Sequence, residues 1–235
     1  KLYKMWLVKI SPQKYIWYSK LHHIISDGFS FQLLYSKIKR IYEHLGTKIP
    51  YDEKCIKKYK KSYEAFIASE EVYRDSKEFC RDKKFWQERY ESFPALIFND
   101  KDSSKCNFNL NISLSEKQSL EVLEFAKNES LGTFHLLLGC FSLVMSKFYN
   151  TGEVNLGMPI LNRRNSVEKD TFGPFISLLP LKLTLNRDET LKSFLKEIKR
   201  SLFKCYRHQR FQQADILREI LIDNSKLYDV RLSYE

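Results

Sequence analysis

Two imidazoles and a carboxylate stand within seven residues, His22-His23-Ile24-Ile25-Ser26-Asp27-Gly28. An imidazole titrates near neutral pH, so it can take a proton or orient a nucleophile by accepting its hydrogen bond. A carboxylate buried at a turn must be paired, and an arginine from elsewhere in the chain is the usual partner. Set between an apolar strand and an amphipathic helix, this combination suits acyl transfer.

The elements around it follow from pattern. Residues 2–10 and 15–21 are aromatic and β-branched, and Ser11-Pro12-Gln13 turns one into the other, which predicts a hairpin. Phe31, Leu34, Tyr35, Ile38, Ile41, Tyr42 and Leu45 recur at spacings of three and four, the pattern of a helix with one buried stripe. Asp27-Gly28 is then the strand-to-helix turn. If the strand continues extended, His23 shares a face with Leu21 and Ser19, and His22 points away with Lys20. His23 is the histidine expected to meet a substrate, and His22 the one expected to hold the loop through a ring hydrogen bond.

Further along, 46–52 reads as a loop and 56–90 as helical, ended by Pro94. After a loop at 95–107, residues 108–112 alternate as a strand. Ser115 and Gln118 form a capping box for a helix that closes near Asn128. The helix from Thr133 to Tyr149 is apolar nearly all round, which predicts a place inside the core, with His135 as a core residue. Strands follow at 154–158 and 178–185, the second an edge because of Pro180. A helix capped by Asp188 or Thr190 carries Leu191, Phe194, Leu195, Ile198, Leu202 and Tyr206; a shorter one holds Leu217, Ile220 and Leu221, and 227–234 reads as a strand. Helices and strands alternate without a clean βαβ repeat, so a mixed sheet is expected.

Composition narrows the function. The chain has 235 residues, 43% hydrophobic, enough to bury a substantial core. No apolar run reaches the roughly 18 residues that span a bilayer, so a soluble, cytoplasmic protein without membrane contact is expected. Cys55, Cys80, Cys106, Cys140 and Cys205 are odd in number and never spaced as CxxC, which predicts reduced thiols rather than a disulfide framework or zinc site. The net charge of +11 has two readings, a positive face for an acidic partner or solvated lysines such as Lys57, Lys58, Lys60 and Lys61. No nucleic-acid module is present, and no nucleic-acid partner is expected. A Ser-His-Asp hydrolase lacks its GxSxG elbow, and Ser26 lies too near His23 and Asp27 for a relay. Adjacent histidines on opposite strand faces chelate poorly, so no metal is expected.

The segment HHxxxDG followed by Phe29-Ser30 resembles the signature of the condensation domains of nonribosomal peptide synthetases, members of the chloramphenicol acetyltransferase-like superfamily. Other segments resemble that family in the same order: Tyr63-x-x-Phe66, Phe85-Trp86, Gly157-Met158-Pro159 through Arg163, Gly173-Pro174-Phe175 through Lys182, His208-Gln209 and the strand at 227–235. Ser177 stands where the family usually has Asn, Lys182 where it has Arg, and Phe211-Gln212 near its Pro-Phe pair.

The resemblance implies an α/β (α+β) chloramphenicol acetyltransferase-like fold of two lobes, a mixed sheet with packed helices. It further implies that residues 1–72 are a remnant of the first lobe, 73–235 a nearly complete second lobe, and the chain a fragment lacking most of its amino-terminal lobe. Its activity would be amide formation between a carrier-bound acyl or peptidyl thioester and the amine of a carrier-bound aminoacyl acceptor. No cofactor is bound directly; the substrates arrive on phosphopantetheine arms of donor and acceptor carrier domains, with an adenylation domain adjacent. The resemblance gives His23, His22, Asp27 and Gly28 to catalysis, the Gly28 amide as an oxyanion donor, and Ser30, Ser177 and Gln209 to a substrate tunnel. Asp27 and Arg163 are expected to form a buried ion pair joining the loop to the second lobe; the alternative is that Arg163 and Arg164 are surface charges. His208 either lines the tunnel or, the preferred reading, anchors its helix. Three competing functions stay open: an epimerisation domain, a CoA-dependent acyltransferase of the same superfamily, and a non-catalytic platform that recruits partners to a carrier.

Overall fold

The structure is a computed structural model and describes residues 1–45, 62–91, 109–186, 188–220, 226–228 and 230–234. The expected loops at 46–52 and 95–107, Cys55, Cys106, Leu221 and the four lysines from 57 to 61 lie outside these residues. In chain order the elements are β1 (Tyr3–Ser11), β2 (Lys14–Leu21), α1 (Gly28–Leu45), α2 (Ser62–Arg74), α3 (Lys77–Arg89), α4 (Glu116–Asn128), α5 (Thr133–Tyr149), β3 (Glu153–Ile160), α6 (Ser166–Lys169), β4 (Ser177–Thr184), α7 (Leu191–Arg207), α8 (Gln213–Glu219) and β5 (Val230–Arg231).

They form two compact units: residues 1–79 with 161–177, and residues 80–160 with 178–235. A division by chain order at residue 72 leaves 161–177 with the later part of the chain. In the structure that segment joins the first unit, because Arg163 and the backbone of residues 173–176 bond to Asp27 and Ser30.

In the first unit β1 and β2 pair antiparallel from Tyr3↔Leu21 to Ser11↔Lys14, as the aromatic and β-branched residues predict. Trp6 and Tyr18 face each other across the pair with ring centroids 5.1 Å apart. The buried stripe expected of α1 is only half realised. Leu34, Ile38 and Ile41 are half-buried, Phe31, Tyr35 and Tyr42 are exposed, and Lys37 ends on the Asp170 carbonyl at 3.2 Å.

In the second unit the strand order is β4-β3-β5. β3 and β5 are parallel, while Leu185, just past β4, donates to the Gly152 carbonyl at the start of β3, so β4 runs antiparallel and the sheet is mixed. β3 lies in the middle and is buried on both faces, as a strand covered on two sides must be. β4, with Pro180, is an edge. Gly157 sits at the centre of β3 because the Tyr228 ring lies on it: a Cβ there would be 2.3 Å from the ring. α7 buries Phe194, Leu195, Ile198, Leu202 and Cys205, and the Cys205 thiol is pushed up to about 11 by burial. Its cap is Thr190, which accepts from the Ser193 N–H at 3.2 Å, and Ser115 with Gln118 makes the expected capping box on α4.

Four expectations are corrected. α5 is not enclosed: it packs on α7 and β3 along one side, burying Leu136, Leu138 and Met145 while Leu137, Val144 and Phe148 are exposed. His135 is not a core residue but a half-buried group in the first turn of α5, where Nδ1 takes the Gly132 N–H at 3.0 Å. Residues 109–112 form no strand, and among the described residues of the tail only Val230 and Arg231 are strand, where they pair with Leu156 and Gly157.

Candidate active site

β2 ends at Leu21, and the chain turns at once: the Ile25 N–H donates to the His22 carbonyl at 3.1 Å and the Ser26 N–H to that of His23 at 3.4 Å. The extended run used to separate the two histidines therefore stops one residue short of them, and alternation along a strand does not set their directions. What sets them is the turn. His22 Nδ1 accepts the Ile24 N–H at 3.1 Å, so the proton of its neutral ring is on Nε2 and the ring is a brace for the turn. His23 is exposed and, among the described residues, its ring has no partner.

Four residues on, Asp27 is the opposite. As N-cap of α1, its Oδ1 accepts the Ser30 N–H at 2.8 Å, while Oδ2 accepts the N–H groups of Phe175 at 3.0 Å and Ile176 at 3.2 Å. Arg163 Nη2 reaches both oxygens, at 3.0 and 3.1 Å, and the two side chains are 1% and 0% exposed. Burial alone would raise the Asp27 carboxyl, but the Ser30 and Phe175 hydrogen bonds and the Arg163 charge outweigh it and hold it below the ordinary carboxylate value.

The guanidinium is held as firmly. Nη1 donates to the carbonyls of Glu168 at 2.7 Å and Thr171 at 2.6 Å, Nη2 also to that of Gly173 at 3.1 Å, and the guanidinium carbon lies over the rings of Phe29 and Phe175 at 4.7 and 4.0 Å. Ser30 Oγ lies 2.8 Å from both Asp27 Oδ1 and the Gly173 carbonyl and accepts the Gly173 N–H at 3.1 Å. One hydroxyl proton serves the two acceptors in turn. Gly173 must be glycine here, since a Cβ would lie 2.5 Å from the Tyr63 ring.

The expected pair of Asp27 and Arg163 is thus present, and both residues belong to the first compact unit. Arg164 is no free surface charge either: it pairs with Glu70 at 3.1 Å and Glu168 at 2.9 Å. Ser30, expected on a tunnel wall, is fully buried in the Asp27 cluster, because its hydroxyl is the link to Gly173. Ser177 opens β4 half-buried; Gln209 is half-buried just past α7, in the other unit. Gly28 starts α1, no described residue accepts its N–H, and a Cβ there would meet nothing within 4 Å, so the space beside this amide is open. The amides of Phe175 and Ile176 as partners of Asp27, and Gly173 as the partner of Ser30 and Arg163, are not foreseen from the sequence.

The aromatic segments meet one another. Tyr63 and Phe66 pack on Phe175 at 5.4 and 4.6 Å. Phe85 stacks on His208 at 4.1 Å, Trp86 Nε1 donates to the His208 carbonyl at 3.0 Å, and His208 Nδ1 lies 2.7 Å from the fully buried Asp82 carboxylate. His208 is anchored on three sides. Lys182, the substituted residue of β4, pairs with Glu153 at 2.9 Å. Among the described residues no cluster of His, Cys, Asp or Glu is arranged for a metal ion, and no single helix is long and apolar enough to cross a membrane.

Comparison with known proteins gives the following. A family model described as Condensation domain matches residues 1–235. Surfactin synthase subunit 1 of Bacillus subtilis (strain 168) is 26% identical over all of this chain, which spans 7% of that protein. The dimodular nonribosomal peptide synthase of the same organism is 22% identical over 94% of the chain and 9% of its own length. The fold is that of VibH, described as a condensation enzyme of nonribosomal peptide synthesis, with a TM-score of 0.74 at 22% identity over 93% of this chain and 51% of that one. The first condensation domain of the calcium-dependent antibiotic synthetase, solved with a substrate analogue, gives 0.74 at 19% identity over 99% and 52%. The chain thus covers about half of these solved structures and under a tenth of these two curated relatives.

Proposed function

Because this chain belongs to the Condensation domain family, we propose that it forms an amide between a carrier-bound acyl or peptidyl thioester and the amine of a carrier-bound aminoacyl group. The amine nitrogen bonds to the thioester carbonyl carbon, the carbonyl electrons move onto oxygen, and their return expels the carrier thiolate. The proton lost by nitrogen ends on that sulfur. An α-amine has an ordinary pKa of about 7.7–8.0, so part of it is neutral near physiological pH and a strong base is unnecessary. His23 accepts the amine's hydrogen bond or its proton as the C–N bond forms. The Gly28 amide, open at the start of α1, donates to the oxyanion, where the helix dipole also favours negative charge.

One observation carries this reading: the turn presents an imidazole with no partner among the described residues, while its far end is fixed by a saturated, buried carboxylate. Asp27, Arg163 and Ser30 act by positioning and His22 by bracing, whereas Ser177 and Gln209 are proposed to line the substrate path. On this reading the phosphopantetheine arms belong to donor and acceptor carriers, as befits relatives that are peptide synthetases, an adenylation domain adjoins, and the protein works in the cytoplasm. The lobe assignment of residues 1–72 and 73–235 is part of the same proposal.

The test loads defined donor and acceptor groups on the flanking carriers of the complete polypeptide and identifies the product by mass spectrometry. Amide product from carrier-bound donors, lost in His23→Ala, supports the reading. Turnover of a CoA donor in preference to the carrier-bound one, inversion of a stereocentre without amide formation, or unchanged product in His23→Ala overturns it.

A further inference from the structure

α7 gathers charge on one side. Its seventeen residues hold Lys192, Lys196, Lys199, Arg200, Lys204 and Arg207 against a single acid, Glu197, so this helix alone supplies five of the chain's eleven net positive charges. At 100° per residue, Phe194, Leu195, Ile198, Leu202 and Cys205 share the face turned to the core; Lys192, Lys196, Arg200, Lys204 and Arg207 fall on the other side, with Lys199 at the boundary beside Leu195. Phe203 lies in the middle of the cations and is 62% exposed. Within the fold its ring has the Arg207 guanidinium over it at 6.0 Å while most of its surface stays in water, and the charges around it repel one another.

Beside Phe203 runs a groove of about 590 Å³, lined by His135 of α5 with Lys199, Leu202, Phe203 and Tyr206 of α7. Its floor is apolar and its rim cationic. The positive side is only partly neutralised. Lys192 pairs with Glu129 at 2.8 Å, Arg200 lies 3.6 Å from Glu197, and Lys199 donates to the Ser130 carbonyl; Lys196 and Lys204 have no acidic partner among the described residues.

We propose that this face docks an acidic amphipathic helix of a partner domain, with an apolar side chain of that helix in the groove against Leu202, Phe203 and Tyr206 and its carboxylates over Lys196, Arg200 and Lys204. Charge complementarity names the occupant. A polyanion without apolar groups satisfies the cations but leaves Phe203 and the groove in water, and a second copy of this chain brings a cationic face against a cationic face. A helix with acidic and apolar stripes matches both features over the length of α7, about 25 Å. The proposal does not depend on the reaction assigned above.

The test measures fluorescence anisotropy of a labelled synthetic helix of leucine and glutamate stripes against the protein, with a lysine-for-glutamate helix and a single-stranded oligonucleotide as alternatives. Lys196→Glu/Arg200→Glu and Phe203→Ser lie on the surface, and thermal unfolding checks that both keep the native fold. The acidic helix is expected to bind, to lose at least about tenfold in affinity in each variant, and to weaken with added salt. No binding, equal binding to wild type and both variants, tighter binding of the oligonucleotide, or self-association of the wild type that Phe203→Ser abolishes in sedimentation each overturn it.

Discussion

The two ends of the His22–Gly28 turn are built oppositely. At one end the His23 ring is exposed and, among the described residues, unpartnered; at the other, four residues away, Asp27 takes three backbone N–H groups and a guanidinium and shows 1% of its side chain. An unpaired polar group is cheap in water and expensive when buried, so only the exposed end can keep a group in reserve for a substrate. On the proposed function the buried end holds the turn still and the exposed end does the chemistry, so damage to the two should separate into lost rate and lost stability.

The largest effect is expected at the free end. His23→Ala should lower amide formation by roughly 10²–10⁴-fold, the span of a positioned general base, with the melting temperature unchanged; a large loss of stability in this variant would erase the contrast. Next comes Asp27→Ala, which strands a buried guanidinium and should cost about 3–5 kcal/mol in urea unfolding. Gly173→Ala forces a Cβ into the Tyr63 ring and should cost about 1–3 kcal/mol by the same measurement, with relief in the double variant that also carries Tyr63→Leu. Ser30→Ala leaves its Asp27 and Gly173 partners short of one bond and should cost about 1–3 kcal/mol.

The smallest effect is a pH dependence. Asp27 is depressed in the folded state below its ordinary value of 3.8, so its contribution is complete above that value and is lost as pH falls through the lower, folded value. The stability gap between wild type and Asp27→Asn should therefore be flat above pH 5 and close below about pH 4. A gap that widens on acidification would contradict the depressed carboxyl.

Much of this was legible in residue order. The hairpin, the amphipathic α7 and the capping box of α4 follow from patterns a single chain displays, and the need of a buried Asp27 for an arginine does too, while the choice of Arg163 comes from the family resemblance. Side-chain alternation failed at His22 and His23 because a hydrogen-bonded turn, not the strand, carries them. The apolar α5 misled because hydrophobicity tells what a helix can bury, not which neighbours reach it. Ser30 was read as a wall of the substrate path because nothing local reveals that Gly173, 143 residues away, takes its hydroxyl. Backbone amides, such as those of Phe175 and Ile176 on Asp27, have no sequence signature at all.

The measurement closest to the central claim is the single-turnover rate of amide formation between loaded carriers on the complete polypeptide, made for wild type and His23→Ala at matched thermal stability. The account predicts a fall of at least about 10²-fold in the bond-forming step with an unchanged melting curve. Equal rates would mean that the free imidazole does no work, and would contradict it.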